Sequence, residues 1–181
     1  MIRRKSKEKL VRPTFFVFCE GESEEAYIKH LKSMYRLPIE IVAKVVGNQI
    51  NEKYISDYKK TKGVQPKDKT YLMYDLDVNG MLEKLQKIKK TTLLVSNPCF
   101  ELWYLLHFQN QTAELSSKEC EDKLVKHIKT YHKGNICNEL KIKLNNNQND
   151  AISKAKTLKI FNNPSSEIYV LIDDLENEKF K

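Results

Sequence analysis

Thr14-Phe-Phe-Val-Phe-Cys-Glu-Gly-Glu-Ser-Glu-Glu25 sets the pattern for the whole chain. Phe15 to Cys19 form an unbroken apolar run that stops at Glu20-Gly21 and passes into an acid-rich segment. A run this short, rich in Phe and Val, predicts a strand buried on both faces of a parallel sheet. Gly21 offers a permissive backbone for the exit, and Ser23 is the expected cap of a helix running to about Met34. Glu20 then falls at the carboxyl end of a buried strand, where open α/β sheets place their ligand crevice. Glu24, on the first helical turn, shares that crevice. The positive end of the helix dipole accounts for Glu22 and Glu25. It does not account for Glu20, because a carboxylate at the end of an apolar strand needs a partner.

Outward from this stretch, strands and helices alternate. Pro38 breaks the chain, and Ile39 to Val46 reads as a second strand. Gly47-Asn48 is a turn, and Asn51 to Thr61 is a polar helix with apolar positions at Tyr54, Ile55 and Tyr58. Thr70 to Tyr74 reads as a third strand ending in Asp75-Leu76-Asp77. A helix follows through Met81, Leu85 and Ile88, and then a fourth strand at Leu93, Leu94 and Val95. This spacing predicts βαβ units, an α/β fold and a mainly parallel sheet flanked by helices. From Ser96 the texture changes. Asn97-Pro98 opens an apolar helix to Phe108, and helices are expected over Lys118–Tyr131, Asn138–Leu144 and Asp150–Phe161. Ser165 to Leu175 is expected to dock on the body. The chain thus reads as a basic arm over 1–13 and a single domain over 14–181. That domain divides into an α/β core, 14–96, and a helix-rich C-terminal addition, 97–181.

The 181 residues suffice to bury a core without disulfides. Lys and Arg number 32 against 24 Asp and Glu, and the net charge of +8 favours an anionic partner such as DNA or RNA. The four cysteines, Cys19, Cys99, Cys120 and Cys137, show no CxxC pair, as expected of ordinary thiols in a reduced, cytoplasmic protein. Cys120, His127, His132 and Cys137 carry zinc-type side chains, but their spacing matches no familiar finger. The sequence holds no apolar run long enough to cross a bilayer, and its basic start lacks the apolar core of a signal peptide.

Two strand ends carry acids: Glu20 after the first, Asp75 and Asp77 after the third. In an extended D-x-D the two side chains point the same way, so both face the Glu20 crevice if the strands are neighbours. Carboxylates gathered so closely repel by about 4 kcal/mol per close pair at intermediate dielectric. A basic protein needs a cation to assemble them. Oxygen-only donors select a hard ion, Mg²⁺ or Mn²⁺, and this is the donor chemistry of metal-assisted phosphodiester cleavage.

Glu20-Gly21-x-x-Glu24 after an apolar strand, with Asp75-x-Asp77 after a later one, resembles the Toprim catalytic domain of topoisomerases, primases and OLD-type nucleases. The block Ser96-Asn-Pro-Cys-Phe-Glu-Leu-Trp-Tyr-Leu-Leu-His-Phe108 and the ending Asn163-Pro-Ser-Ser-Glu-Ile-Tyr-Val-Leu171 resemble the RloB family, which includes AbiLii-type abortive-infection proteins. The similarity spans Thr14 to Leu175. It implies a Toprim-like fold, a divalent-metal nuclease site and a role in bacterial anti-phage defence beside an ATPase partner. Glu20 matches the first acid of the motif, Glu24 the second acid of the OLD type, and Asp75 and Asp77 the D-x-D pair. The implied metal ligands are Glu20, Asp75 and Asp77.

Further candidates follow from position. Glu101, on the first turn of the apolar helix, is a further ligand, an acceptor behind the ligands, or a helix-start acid. Ser96 and Asn97, at the crevice end of the fourth strand, orient a carboxylate or phosphate, or cap the helix. Gly21, Ser96, Asn97 and Lys154 are the expected substrate contacts. The wider set of lysines at 118, 123, 126, 129, 154, 156 and 159 offers phosphate contacts or a solvated face. Tyr131 and His132 are candidate base-stacking residues. His107 reads as a core histidine rather than a general base. No P-loop (GxxxxGK[ST]) occurs, so ATP hydrolysis must come from a partner. Two rivals to a nuclease stand: a non-catalytic module that binds nucleic acid or regulates the ATPase, and a nucleotidyl transferase.

Overall fold

The computed structural model describes residues 13–37 and 40–179. The basic arm, apart from Pro13, lies outside the described residues, as do Pro38 and Ile39 of the expected break and second strand.

Five strands form one sheet: β1 (Thr14–Cys19), β2 (Glu40–Val45), β3 (Lys69–Asp75), β4 (Thr92–Asn97) and β5 (Ser165–Ser166), in the order β2-β1-β3-β4-β5. The first four are parallel and β5 is antiparallel to β4. All six residues of β1 are buried, as the apolar run requires of a strand flanked by β2 and β3. Alternation along β1 divides the core. Phe15, Val17 and Cys19 face one layer with Tyr71, Met73 and Leu94, while Phe16 and Phe18 face the other with Leu72, Tyr74 and Val95. Phe18→Ala would empty a fully buried site, and such truncations cost about 3–5 kcal/mol.

The first layer is thick. It holds α1 (Glu22–Tyr35), α4 (Glu101–Leu106), α5 (Ser117–His127), α6 (Asn138–Asn146), α7 (Gln148–Thr157) and α8 (Tyr169–Lys179). The second layer holds only α2 (Glu52–Lys62) and α3 (Met81–Gln86), with Ile50 and Ile88. Every residue of α4 is buried, so it forms the axis of the helical half.

Several expected boundaries shift, each for a local reason. Gly21, not Ser23, is the N-cap of α1; the Ser23 hydroxyl serves two longer-range bonds instead. The helix expected to reach Tyr131 is α5. It starts from a capping box at Ser116 and Glu119 and stops at His127, because Ile128 turns extended. The C-terminal segment contains β5 before α8. A two-residue strand leaves no periodicity in sequence and forms only because β4 offers a free edge.

Candidate functional site

Glu20 follows directly on β1 and Asp75 closes β3, and these strands are neighbours with Cys19 opposite Met73. The Glu20 N–H donates to Met73 O at 3.0 Å, and the Glu20 carboxylate accepts the Asp75 N–H at 2.9 Å. Two strand ends are thereby joined through one side chain. They open on a cavity of ≈ 290 Å³ lined by Glu20, Gly21, Glu22, Ser23, Glu24, Asp75, Phe100, Glu101 and Lys133. Of the sequence-predicted site residues, five meet here: Glu20, Gly21, Glu24, Asp75 and Glu101.

Gly21 has an ordinary extended backbone, φ −136°, so no turn demands glycine. The demand is close approach. A Cβ at Gly21 would lie 3.2 Å from Glu24 Oε2, because the Glu24 side chain folds back over the start of α1. Glu24 is 5 % exposed. Burial pushes its carboxyl up to about 7, with the charges of Glu101 and Glu20 adding to the shift and the N–H groups of Glu24 and Gly21 opposing it.

The Asp75 Oδ1 is buried and has no hydrogen-bond partner among the described residues. Burial, then the charges of Glu24, Cys99, Glu101 and Glu20, hold its carboxyl well above the usual range. Burial also raises the Glu20 carboxyl, against the Asp75 N–H, and Asp77 raises it further while Lys84 lowers it.

Glu101 is buried at the mouth of α4 and accepts from two hydroxyls on one oxygen, Tyr131 at 2.9 Å and Ser23 at 3.4 Å. Its other oxygen lies 4.0 Å from Lys133 Nζ, which is also 3.6 Å from Glu121. Burial works against the Lys133 ammonium, but the surrounding anions, Glu101 and Glu121 foremost, raise its pKa overall. The loop carrying Lys133 is pinned where Gly134 N–H donates to Ser23 Oγ at 3.0 Å. Gly134 is required: its φ is +76°, and a Cβ there would lie 3.2 Å from Glu22.

The remaining predicted residues lie elsewhere. Asp77 is exposed and does not line the cavity, because the chain bends at Leu76, whose N–H is tied to Ser96 O at 2.8 Å. The extended D-x-D on which a shared direction depends does not exist. Ser96 Oγ lies 3.0 Å from Ser166 Oγ, and the Asn97 amide donates to Phe161 O at 3.0 Å. Both are taken up by the unforeseen β5 and the chain leading to it, rather than by the crevice. The Lys154 ammonium donates to Leu106 O at 3.0 Å and pairs with Asp150 at 2.6 Å, capping the carboxyl end of α4 while the acids sit at its amino end. Tyr131 is buried behind Glu101 instead of stacking bases.

His107 is a core histidine. Its Nδ1 bonds Trp103 O at 2.8 Å, and burial pushes its pKa down to about 4. Among the described residues no three His, Cys, Asp or Glu side chains converge as a preformed ligand set, the Cys120–Cys137 constellation included. Lys133 and Ser23 are the site residues that sequence reasoning missed. Lys133 is one of many lysines and carries no local signal.

A parallel sheet with acids at the carboxyl ends of two adjacent strands, roofed by an acid-bearing helix, makes this a Toprim-like α/β protein. Residues 15–175 match the RloB-like protein family, and the chain belongs to that family. No curated protein and no solved structure matches the chain. No helix among the described residues is long and apolar enough to cross a membrane.

Proposed function

We propose that the protein is a divalent-metal-dependent nuclease that hydrolyses phosphodiester bonds of DNA or RNA. The observation that carries this reading is Asp75: a buried carboxylate oxygen without a partner among the described residues, in a cavity shared with Glu20, Glu24 and Glu101. So many acids in one cavity of a chain with net charge +8 call for a cation. The donors are all oxygens, which suits Mg²⁺ or Mn²⁺. Glu20, Glu24 and Asp75 would hold the ion. Such an ion supplies Lewis-acid charge to the scissile phosphate and lowers the pKa of water.

The chain's own groups have separate work. Lys133, the one ammonium lining the cavity among the described residues, would face a non-bridging phosphate oxygen. Glu101, fixed by Tyr131 and Ser23, holds that ammonium in place. Glu24, whose carboxyl burial pushes up to about 7 in the metal-free state, would give up its proton as the ion binds.

Family membership supports placing this activity in anti-phage, abortive-infection defence with an ATPase partner. The test incubates the protein with single- and double-stranded DNA and RNA in Mn²⁺, Mg²⁺ or chelator. Metal-dependent cleavage lost in Asp75→Asn supports the enzyme. The second reading is a non-catalytic module that binds nucleic acid or regulates the ATPase. It is favoured by the outward Asp77 and the lack of a preformed ligand set among the described residues. Binding that persists in Asp75→Asn, with no cleavage in any metal, supports the module.

A further inference from the structure

A larger groove, ≈ 600 Å³, lies at the other end of the strands, between α2, the start of β3 and the turn that leads into β4. Its floor is aliphatic. Ile55 and Ile88 are buried there, and Val64 is 56 % exposed at the edge. Lys59, Lys60, Lys89 and Lys90 surround it.

These lysines are not equivalent. Lys59 is committed to the fold: its ammonium donates to Thr70 Oγ1 at 2.7 Å and lies 5.1 Å over the Phe16 ring. Lys60 shares an exposed pair with Asp57 at 3.4 Å. Lys89 and Lys90 are exposed, and no carboxylate among the described residues pairs with either ammonium. Among the described residues Glu52 is the one acid lining the groove, and its Oε1 already accepts the Lys89 backbone N–H at 2.8 Å. Lys90 has φ +58°, a left-handed backbone that costs a non-glycine residue about 1 kcal/mol. Glycine or asparagine would relieve that cost, yet a long cation stands at the rim.

We propose that this groove docks an acidic peptide segment of a partner protein, with an aliphatic or aromatic side chain seated between flanking carboxylates. Charge complementarity selects the occupant: the exposed ammonium groups of Lys89 and Lys90 stand beside an apolar floor that Lys60 also lines. The volume lies within the usual range for a binding pocket. Among the described residues no aromatic side chain lines the groove to stack a base, which argues against single-stranded nucleic acid. The site is separate from the acidic cavity and does not depend on the nuclease reading.

The test uses fluorescence anisotropy on the full chain. The probes are short labelled peptides of alternating Glu and Leu, the same with Lys for Glu or Ser for Leu, and a single-stranded DNA. The Glu/Leu peptide is expected to bind saturably, to shift the Ile55 and Ile88 methyl signals, and to weaken about tenfold or more when Lys89→Glu and Lys90→Glu reverse two charges. The Lys and Ser peptides are expected to bind at least about tenfold more weakly, and Asp75→Asn to bind like the parent. Both lysines are exposed, so the fold should survive reversal; Lys90→Gly, which suits the backbone, is the milder variant. No saturable binding of the Glu/Leu peptide overturns the proposal. So does binding unchanged by charge reversal, or DNA binding lost on reversal while the peptide fails to bind.

Discussion

At the carboxyl ends of β1 and β3 the side chains are carboxylates that crowd one another, whereas near the amino end of β3 they are aliphatic groups ringed by lysines. Strand β3 contributes to both ends. The difference lies in how each arrangement is tolerated. The lysines at the amino end are mostly solvated, so they repel weakly and burden the fold little. The acids at the carboxyl end are withdrawn from water, and the pKa values of Glu20, Glu24 and Asp75 all rise. Carboxylates perturbed in this way cluster at functional sites, in line with the proposed function.

The sharpest way to break this contrast is to neutralise one acid. Asp75→Asn is expected to reduce metal-dependent cleavage about 100- to 1000-fold. It should also raise the stability of the metal-free protein by about 1–2 kcal/mol at pH 8, since one of several repelling carboxylates is gone. Asp77→Asn, outside the cavity, should cost clearly less activity and leave metal-free stability unchanged. Parallel kinetics and urea titrations of the two variants decide the matter; equal losses would place Asp77 inside the working site after all.

Glu167 tests whether any buried acid near this end behaves alike. It is 5 % exposed, its Oε2 has no partner among the described residues, and burial pushes it from 4.5 up to about 7. The native state therefore holds the proton more tightly than the unfolded state. Its stabilising contribution is present in full below pH 4.5 and is lost as pH rises to about 7. Glu167→Gln should abolish that decline, a difference on the order of 3 kcal/mol between those limits. Unfolding free energies measured across the window give the answer.

Mn²⁺ should act on one end only. At about a hundred times its dissociation constant it should stabilise the parent by about 2.7 kcal/mol, about 5–10 °C in Tm. Asp75→Asn should lose that shift, Glu167→Gln and the Lys89/Lys90 variants should keep it, and thermal scans with and without metal compare them. The smallest expected effect is that of Gly21→Ala. Its Cβ displaces the Glu24 carboxylate by a few tenths of an ångström rather than any backbone, so cleavage should fall about tenfold with little change in Tm.

Some of the site is legible without coordinates because it depends on where apolar runs stop. Phe15 to Cys19 must be buried, so Glu20 must stand at the end of a central strand, and the same reasoning gives Asp75 after β3. Glu24 follows from helical spacing alone. Asp77 misleads because β3 ends at Asp75 and the chain bends at Leu76, which the local sequence pattern does not show. Ser96 and Asn97 mislead because β5 arrives from about seventy residues later, and two serines show no periodicity. Tyr131 and Lys133 reach Glu101 only because Gly134 is tied to Ser23.

Hydropathy and spacing along the chain therefore determined the parallel sheet, its central strand and the acids at the tips, since burial of apolar runs is a local demand with a global outcome. Which acids share a cavity, which hydroxyls hold Glu101, and which lysine faces them were decided by pairings between residues far apart in sequence. Those pairings are set by strand order and loop packing, and no local pattern encodes them.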